Sequence, residues 1–249
     1  MPVWEVIEVM ATSEMDIRRS ADRFHTKAGW LDSKHSFSFG GHYSPTNTNH
    51  GQLLVLNDDR VAGGTGFDTH PHRDMEIVTW VLDGELEHKD SEGNRGVIYP
   101  GLAQRMSAGR GIWHSEKNWS DTDEVHFIQM WVLPDTESID PGYQQLDIND
   151  QLAGGGLVPI ASGQGHDAAI SIQQRDAVLW GGRLGPGENV MVPDAQYGHL
   201  FVARGSAALE SEKTLDTGDA VRLTGTGSLA VTAGEKGAEL LIWTTGAMQ

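Results

Sequence analysis

The stretch GGTGFDTHPHRDMEIVTW, residues 63–80, combines glycine-rich turn residues, two closely spaced histidines and the start of an apolar run. His70 and His72 are two residues apart, so on an extended strand both imidazoles point to the same face. The run EIVTWVLDG (76–84) is short and bounded by turn residues, which is typical of a β-strand. A strand of this kind can offer two imidazoles to a single metal ion.

A second segment, MSAGRGIWHSEKN (106–118), places His114 and Glu116 at the same two-residue spacing. If the two pairs faced each other across a barrel, three imidazoles and one carboxylate would enclose a cation. Such ligands suit Fe, Mn, Co, Ni, Cu or Zn, and an octahedral ion would keep two positions open. Glycines that permit tight turns precede both pairs, namely Gly64, Gly66, Gly109 and Gly111.

The rest of the chain reads as β structure, because its 31 glycines break it into short apolar runs. The predicted strands are 52–59, 76–84, 86–90, 96–99, 125–133, 177–184, 200–205 and 240–245. SEGN (91–94) reads as a hairpin turn. Helix signals are weak, the best being DPGYQQ (140–145) and TSEMDIRRSADRF (12–24).

A polar, glycine-ended stretch at 134–156 is the expected domain junction. We therefore predict an N-terminal domain at 1–140 and a C-terminal domain at 141–249. A faint repeat lays 81–84 on 202–205 and 100–109 on 217–226, which suggests one barrel plan used twice. The ligand positions then correspond to residues that bind hard metals poorly, so the second barrel is expected to hold no metal. These residues are Met191, Pro193, Val231 and Ala233.

Charge and composition exclude several classes of function. Eighteen Lys and Arg against 35 Asp and Glu leave a net charge of -17, which would repel nucleic acid and anionic lipid. Without cysteine, any metal must have nitrogen and oxygen ligands. The sequence shows neither a leader peptide nor an apolar run long enough to span a bilayer. We expect a cytoplasmic monomer.

The histidine segments resemble the cupin pattern, in which Gly64, His70, His72 and Glu76 form the first motif and His114 with Asn118 marks the second. More narrowly, several segments in the same order are similar to the pirin family over roughly the first 145 residues. They are GWLDSKHSFSFG (29–40), LLVLNDDRV (53–61), THPHRDMEIVTW (69–80), LEHKDS (86–91) and SAGRGIWHSE (107–116). The resemblance implies a bicupin, an all-β chain of two antiparallel barrels or jelly rolls, with metal in the N-terminal one.

The resemblance to pirins also implies a ligand set. It maps onto His70, His72, His114 and Glu116, all of which are present. General cupins use the first-motif glutamate instead, so Glu76 is a rival ligand. We favour Glu116 and expect Glu76 to lie in the barrel wall or to orient a histidine. Iron(II) is the expected ion, with Cu, Co, Ni, Mn or Zn as alternatives.

The function that the resemblance implies is that of a quercetin 2,3-dioxygenase, which opens the flavonol heterocycle with O2 and releases carbon monoxide. Glu116 would act as the base that takes the proton of the flavonol 3-hydroxyl. The alternative is a metal-containing regulatory or redox-sensing protein that binds a protein partner without catalysis. A third reading is another metal-dependent oxygenase or isomerase acting on a small aromatic or sugar.

The remaining candidate residues are weaker. Histidines without a partner at ligand spacing are expected at the surface or in the core: His25, His35, His42, His50, His88, His126, His166 and His199. Aromatic and methionine side chains near the motifs are expected to form core, with a few lining an apolar pocket mouth. The run 57–60 (NDDR) either supplies polar groups at that mouth or forms a plain turn.

Overall fold

The computed structural model describes residues 13–210 and 213–248, and its regular elements are almost all strands. Residues 1–12, on which the expectation about a leader peptide rests, lie outside this part. In the described ranges, no helix is both long and apolar enough to cross a membrane.

The described part of the first half contains twelve strands, and all but the first of them form two antiparallel sheets. Its strands are β1 (Glu14–Arg18), β2 (Phe24–Ala28), β3 (Leu31–His35), β4 (Leu53–Val61), β5 (Gly66–His72), β6 (Glu76–Asp83), β7 (Leu86–Asp90), β8 (Arg95–Ile98), β9 (Leu102–Ser107), β10 (Ile112–Asn118), β11 (Val125–Val132) and β12 (Gly142–Asp147). One sheet has seven strands in the order β12-β9-β6-β11-β4-β3-β2, and the other has four in the order β5-β10-β7-β8.

The eight strands of the second half and β1 of the first build a single sheet of nine strands. After a short helix α1 (Asn149–Ala153), the strands are β13 (Val158–Ser162), β14 (Ile170–Ser171), β15 (Ala177–Leu184), β16 (Asn189–Val192), β17 (Tyr197–Leu209), β18 (Thr214–Asp216), β19 (Ala220–Thr224) and β20 (Leu229–Thr245). Its main path runs β1-β19-β17-β20-β15-β13-β14. β17 lies between β19 and β20 as β6 lies between β9 and β11, which matches the two segments of the faint sequence repeat.

The predicted strands are confirmed, and both predicted helices are wrong. Each of the eight predicted strands overlaps an observed one, and SEGN joins β7 to β8 as a hairpin. DPGYQQ contributes to strand β12, which pairs with β9. Of 12–24, Thr12 lies outside the described residues, Glu14–Arg18 forms β1, and helical structure is limited to a 3-10 turn at Ser20–Asp22.

The two halves share strands and a core. β1 pairs with β19 in the C-terminal sheet, whereas β12 pairs with β9 in the N-terminal sheet. The division into 1–140 and 141–249 stays a prediction, and it would place each of these strands with the half to which it is not hydrogen-bonded. One hydrophobic cluster contains buried side chains from both halves, including Phe37, Trp80, Met130, Phe201 and Trp243. The interior between the halves is therefore continuous.

Candidate metal centre

The predicted ligand pairs lie on neighbouring strands. His70 and His72 are on β5, His114 and Glu116 are on β10, and His114 is directly opposite His70 in the antiparallel register. The expectation that the pairs face each other across a barrel is therefore wrong: they lie side by side in the four-stranded sheet. Directly opposed residues on neighbouring strands have Cβ atoms about 5 Å apart, so one ion can reach both pairs.

The glycines before each pair have the backbone conformations that the sequence suggested. Gly64, Gly66, Gly109 and Gly111 have φ values of 67°, 145°, 48° and 134°. At Gly66 a Cβ atom would collide with the Glu116 carbonyl oxygen and lie 2.7 Å from the Lys117 Cα. Glycine there lets β5 approach β10 closely, beside the register shift that separates His114 from Glu116.

Three imidazoles converge at this point. One ring nitrogen each of His70, His72 and His114 lies within 4.8 Å of the other two. The Nε2 atoms of His70 and His114 are 3.0 Å apart. Two nitrogens bound at right angles to one ion at about 2.1 Å would stand about 3.0 Å apart. The buried Nε2 of His72 has no hydrogen-bond partner.

The surrounding hydrogen bonds decide which nitrogens carry lone pairs. His70 Nδ1 lies 2.7 Å from the Asp68 carbonyl oxygen, which can only accept, so this nitrogen donates and Nε2 keeps its lone pair. His114 Nδ1 lies 3.4 Å from His88 Nδ1, and His88 Nε2 lies 3.2 Å from Asp90 Oδ2. When His88 Nε2 donates to Asp90, His88 Nδ1 can accept from His114 Nδ1, and this tautomer of His114 leaves the lone pair on its Nε2. Facing lone pairs repel, so the donor set fits a cation.

His88 and Asp90 are site residues that sequence reasoning missed. His88, expected at the surface or in the core, is buried beside the cluster, where it forms a second metal-capable group with His114 and Glu116. Its side chain is buried, and Tyr143 of β12 covers it with ring centroids 5.0 Å apart. The signal was present in LEHKD, where the alternation along β7 puts His88 and Asp90 on one face.

Burial keeps the inner histidines in the metal-binding form. Desolvation, reinforced by neighbouring histidines, lowers the pKa of His72 to about 4 and that of His114 to about 3. Both rings are therefore neutral near pH 7. Neutral imidazole is the form that binds metals, so protons do not compete with an ion there at physiological pH.

Glu116 is held by an amide whose orientation is set by its neighbours. Gln129 Nε2 lies 2.9 and 2.7 Å from the two carboxylate oxygens of Glu116, and Trp131 Nε1 donates to Gln129 Oε1 at 3.1 Å. An indole is a donor only, so Gln129 must turn its oxygen to Trp131 and its NH2 group to Glu116. Gln129 is a second residue that the sequence did not single out.

Glu76, the rival ligand, is engaged elsewhere. Its side chain is fully buried, and Oε2 accepts from Ser107 Oγ at 2.8 Å and from the Gln173 amide at 3.1 Å. Burial raises the pKa of this carboxyl. Glu76 thus lies at the junction of the two halves and is absent from both metal-capable groups of the described residues.

A cavity of about 700 Å³ opens onto the cluster. His70, His72 and Glu116 contribute to its wall, and aromatic rings supply much of the rest. These rings are Trp30, Phe39, Phe67 and Trp131. The expected apolar mouth is present: of the aromatic and methionine side chains near the motifs, Trp30, Phe39 and Trp131 line it. The others are mostly core, as expected, since only Trp113 of the following set is exposed: Phe37, Trp80, Trp113, Phe127 and Met130.

The residues of the second half that correspond to the predicted ligands have other surroundings. Val231 and Ala233 belong to the apolar core of the second half, and Met191 is about half exposed. His166 bonds Ser162 at 3.0 Å. Both metal-capable groups found in the described residues lie in the first half.

Two antiparallel β domains, with inward-facing imidazoles on adjacent strands of one of them, define a two-domain cupin. Comparison with known families agrees. The Pirin family model matches residues 16–132, and the model for the quercetinase C-terminal cupin domain matches residues 159–243. The chain belongs to the pirin family.

Named relatives and solved structures resemble the chain over most of its length. A provisionally named quercetin 2,3-dioxygenase of Mycobacterium tuberculosis is 58% identical over 93% of this chain and 95% of the relative. The quercetin 2,3-dioxygenase of Escherichia coli K12 is 44% identical over 64% of this chain and 67% of the relative. The crystal structure of the bacterial pirin YhhW from Escherichia coli in complex with nickel(II) superposes with a TM-score of 0.87 at 32% identity, covering 94% of this chain and all of that one.

Proposed function

We propose that this chain is a metal-dependent dioxygenase that opens the heterocycle of flavonols such as quercetin. The observation that carries the proposal is the convergence of three imidazoles on the wall of an aromatic-lined cavity that also contains Glu116. A planar phenolic substrate fits such a cavity, because aromatic walls pack on its rings while a few polar groups orient it. The names of the relatives point to the same substrate class.

We assign one divalent transition metal to His70, His72 and His114, which form one metal-capable group, and take Glu116, which shares the second such group with His114, as the fourth ligand. Iron(II) is the first candidate, with Cu, Co, Ni, Mn and Zn as alternatives; the related pirin YhhW was crystallised with nickel(II). When bound, such an ion supplies Lewis acidity and, if redox-active, a route for electrons between substrate and O2.

The side chains supply the proton transfer and the positioning. Glu116 accepts the proton of the 3-hydroxyl, and Gln129 holds the carboxylate by the two contacts to its oxygens. Trp131 fixes Gln129 and borders the cavity. In the overall reaction both atoms of O2 enter the ring-opened ester, and one ring carbon leaves as carbon monoxide.

The test is consumption of quercetin under air by the metal-loaded protein, followed by loss of the flavonol absorption band and by detection of carbon monoxide. Glu116→Gln should lower kcat by about 100-fold or more, because an amide cannot accept the proton. The same change at the exposed Glu92, on the β7–β8 turn, should leave kcat unchanged.

Metal-loaded protein that consumes no flavonol above the free-metal blank, with iron, copper, cobalt and nickel tested in turn, would contradict the proposal. The reading as a metal-containing regulatory protein would then take its place.

A further inference from the structure

A row of four polar side chains is buried on the inner face of β3 and β4. Ser33 is opposite Asp59 and His35 is opposite Asn57 in the antiparallel register. None of the four is more than 3% exposed. Burying polar groups inside a barrel is costly unless they find partners, so a cluster of four beside a cavity calls for an explanation.

The row is only partly satisfied by its own contacts. His35 Nδ1 lies 2.8 Å from Asn57 Oδ1, and His35 Nε2 lies 2.9 Å from Thr26 Oγ1. Ser33 Oγ donates to Asp59 Oδ1. Asp59 and Asn57 both line the large cavity, where their remaining hydrogen-bonding capacity is available to a ligand.

Asp59 has the chemistry to recognise a hydroxyl group. Burial raises its pKa to about 7 against the opposing hydrogen bond from Ser33, with the charges of Asp58 and Glu116 adding to the rise. Near neutral pH a large fraction of these carboxyls is protonated. Since Oδ1 accepts from Ser33, the proton resides on Oδ2, and the group can both donate to and accept from a phenol.

The polar row and the histidine cluster belong to one cavity and are joined by aromatic rings. Phe39 stacks on His35 with ring centroids 5.1 Å apart and meets Trp131 edge-on at 5.5 Å. Trp131 in turn meets His72 edge-on at 4.8 Å. A flat ligand lying along these rings therefore reaches the imidazoles at one end and the polar row at the other.

We propose that Asp59 and Asn57 form a second subsite, which hydrogen-bonds a hydroxyl on an outer ring of the flavonol, remote from the hydroxyl that addresses the histidines. The inference rests on the proposed function, because that function identifies the ligand as a flavonol. It makes the protein selective for polyhydroxylated flavonols over the parent 3-hydroxyflavone, because an unmatched buried carboxyl and amide penalise a ligand without the outer hydroxyls.

The test compares the Kd values of quercetin and 3-hydroxyflavone, measured by equilibrium dialysis under nitrogen on full-length, nickel-loaded protein. The wild type should bind quercetin about tenfold more tightly or better. In Asp59→Leu this preference should fall to about threefold or less, because the Kd of quercetin rises while that of 3-hydroxyflavone stays the same or falls, and the metal content should stay unchanged. A preference of wild-type size in the variant, or no preference in the wild type, would overturn the subsite.

Further variants keep the test decisive if Asp59→Leu misfolds. Asn57→Leu and Ser33→Ala should lower the preference in the same direction, and they carry the test if Asp59→Leu does not fold. Lys34→Ala is the control, because Lys34 lies between Ser33 and His35 on β3 and bonds Ser20 rather than lining the cavity. A loss of preference in Lys34→Ala equal to that in the others would count against the subsite.

Turnover separates this inference from the proposed function. If the preference behaves as expected and no flavonol is consumed in air, the subsite stands and the dioxygenase proposal falls. If quercetin is consumed but both flavonols bind equally well, the activity stands and the subsite is refuted. Absence of binding by either flavonol refutes the subsite as well.

Discussion

Single hydrogen bonds at the histidine cluster determine what each ring can bind. The Asp68 carbonyl sets the orientation of His70, and the chain from Asp90 through His88 sets that of His114. Asp90 is anchored in turn: burial acts to raise its pKa, but hydrogen bonds, those of Asn94 foremost, outweigh burial and lower it. The rings are therefore ordered for an ion by groups that do not touch it.

These contacts predict a graded loss of metal. The wild type should bind about one metal ion per chain. His70→Ala and His114→Ala should each lose most of this metal, because each removes a converging nitrogen. His88→Ala should retain metal with an affinity about 10- to 100-fold lower, because it frees the ring of His114 without removing a ligand. Elemental analysis and titration against a competing chelator measure both effects.

His166→Ala is the matched control and should bind metal as the wild type does, since His166 bonds Ser162 in the other half. Full metal content in both His70→Ala and His114→Ala would refute the site. Wild-type affinity in His88→Ala would refute the orienting role.

At the scale of elements, neighbouring strands bring together residues that are distant in sequence. β10 pairs with β5 on one side and with β7 on the other, so the two sides of His114 receive His70 and Asp90. Strand β12 supports the same site through Tyr143, although its DPG start resembles a helix N-terminus. A helix-capping pattern depends only on neighbouring residues in the sequence. It therefore does not reveal that this segment can hydrogen-bond to the edge of β9 as a strand.

The outer face of β4 carries an ion cluster that makes stability depend on pH. Asp58 receives Arg23 at 2.8 Å and His126 at 2.6 Å. Burial acts to raise the pKa of Asp58, but these two partners outweigh it and lower the value from 3.8 to about 2. A lowered pKa means stability that is present above about pH 4 and lost as the pH falls towards 2.

Asp58→Asn should therefore reduce the free energy of unfolding by about 2 kcal/mol at pH 5 to 7. The difference in the free energy of unfolding between the wild type and Asp58→Asn should become smaller between pH 4 and 2, because the wild-type carboxyl becomes protonated there. Urea unfolding across this range measures it. Asp16→Asn, which breaks a more exposed pair with Arg18, should cost less than about 1 kcal/mol. A difference that does not change with pH would contradict the assignment.

At the scale of the whole molecule, the two halves are interlocked. β1 completes the C-terminal sheet, and β12 completes the N-terminal one. Trp80 donates to Glu239 Oε1 at 2.9 Å, and Trp243 Nε1 lies 3.2 Å from Met130 Sδ. Contacts of this kind inside a shared core couple the stability of one half to that of the other.

We therefore expect a single unfolding transition by differential scanning calorimetry. Met130→Ala, a change in the first half against Trp243 of the second, should cost about 2–5 kcal/mol and lower the Tm of that one transition. Met191→Ala, at a side chain that is 51% exposed, should leave the Tm of this transition unchanged. Two resolved transitions in the wild type, or a split caused by Met130→Ala, would contradict the coupling.

Much of the fold could be predicted because strand signals are local. Short apolar runs bounded by glycine mark β4, β6, β7, β8, β11, β15, β17 and β20, since burial of one or both faces leaves its pattern in the strand itself. The spacing of His70 with His72, and of His114 with Glu116, likewise reports which side chains share a face. The weakly apolar edge strand β1 carries no comparable signal, and its residues were predicted to be helical.

The sequence by itself determined the strand-rich fold class and the family, and it predicted the two ligand pairs, because these depend on residue types at short, regular spacings. Tertiary structure alone decided that the pairs lie side by side, that His88, Asp90 and Gln129 stand behind them, and that Asn57 and Asp59 face the cavity. The physical reason is that hydrogen-bond registers between strands join residues far apart in the chain, and no local spacing encodes which strands become neighbours.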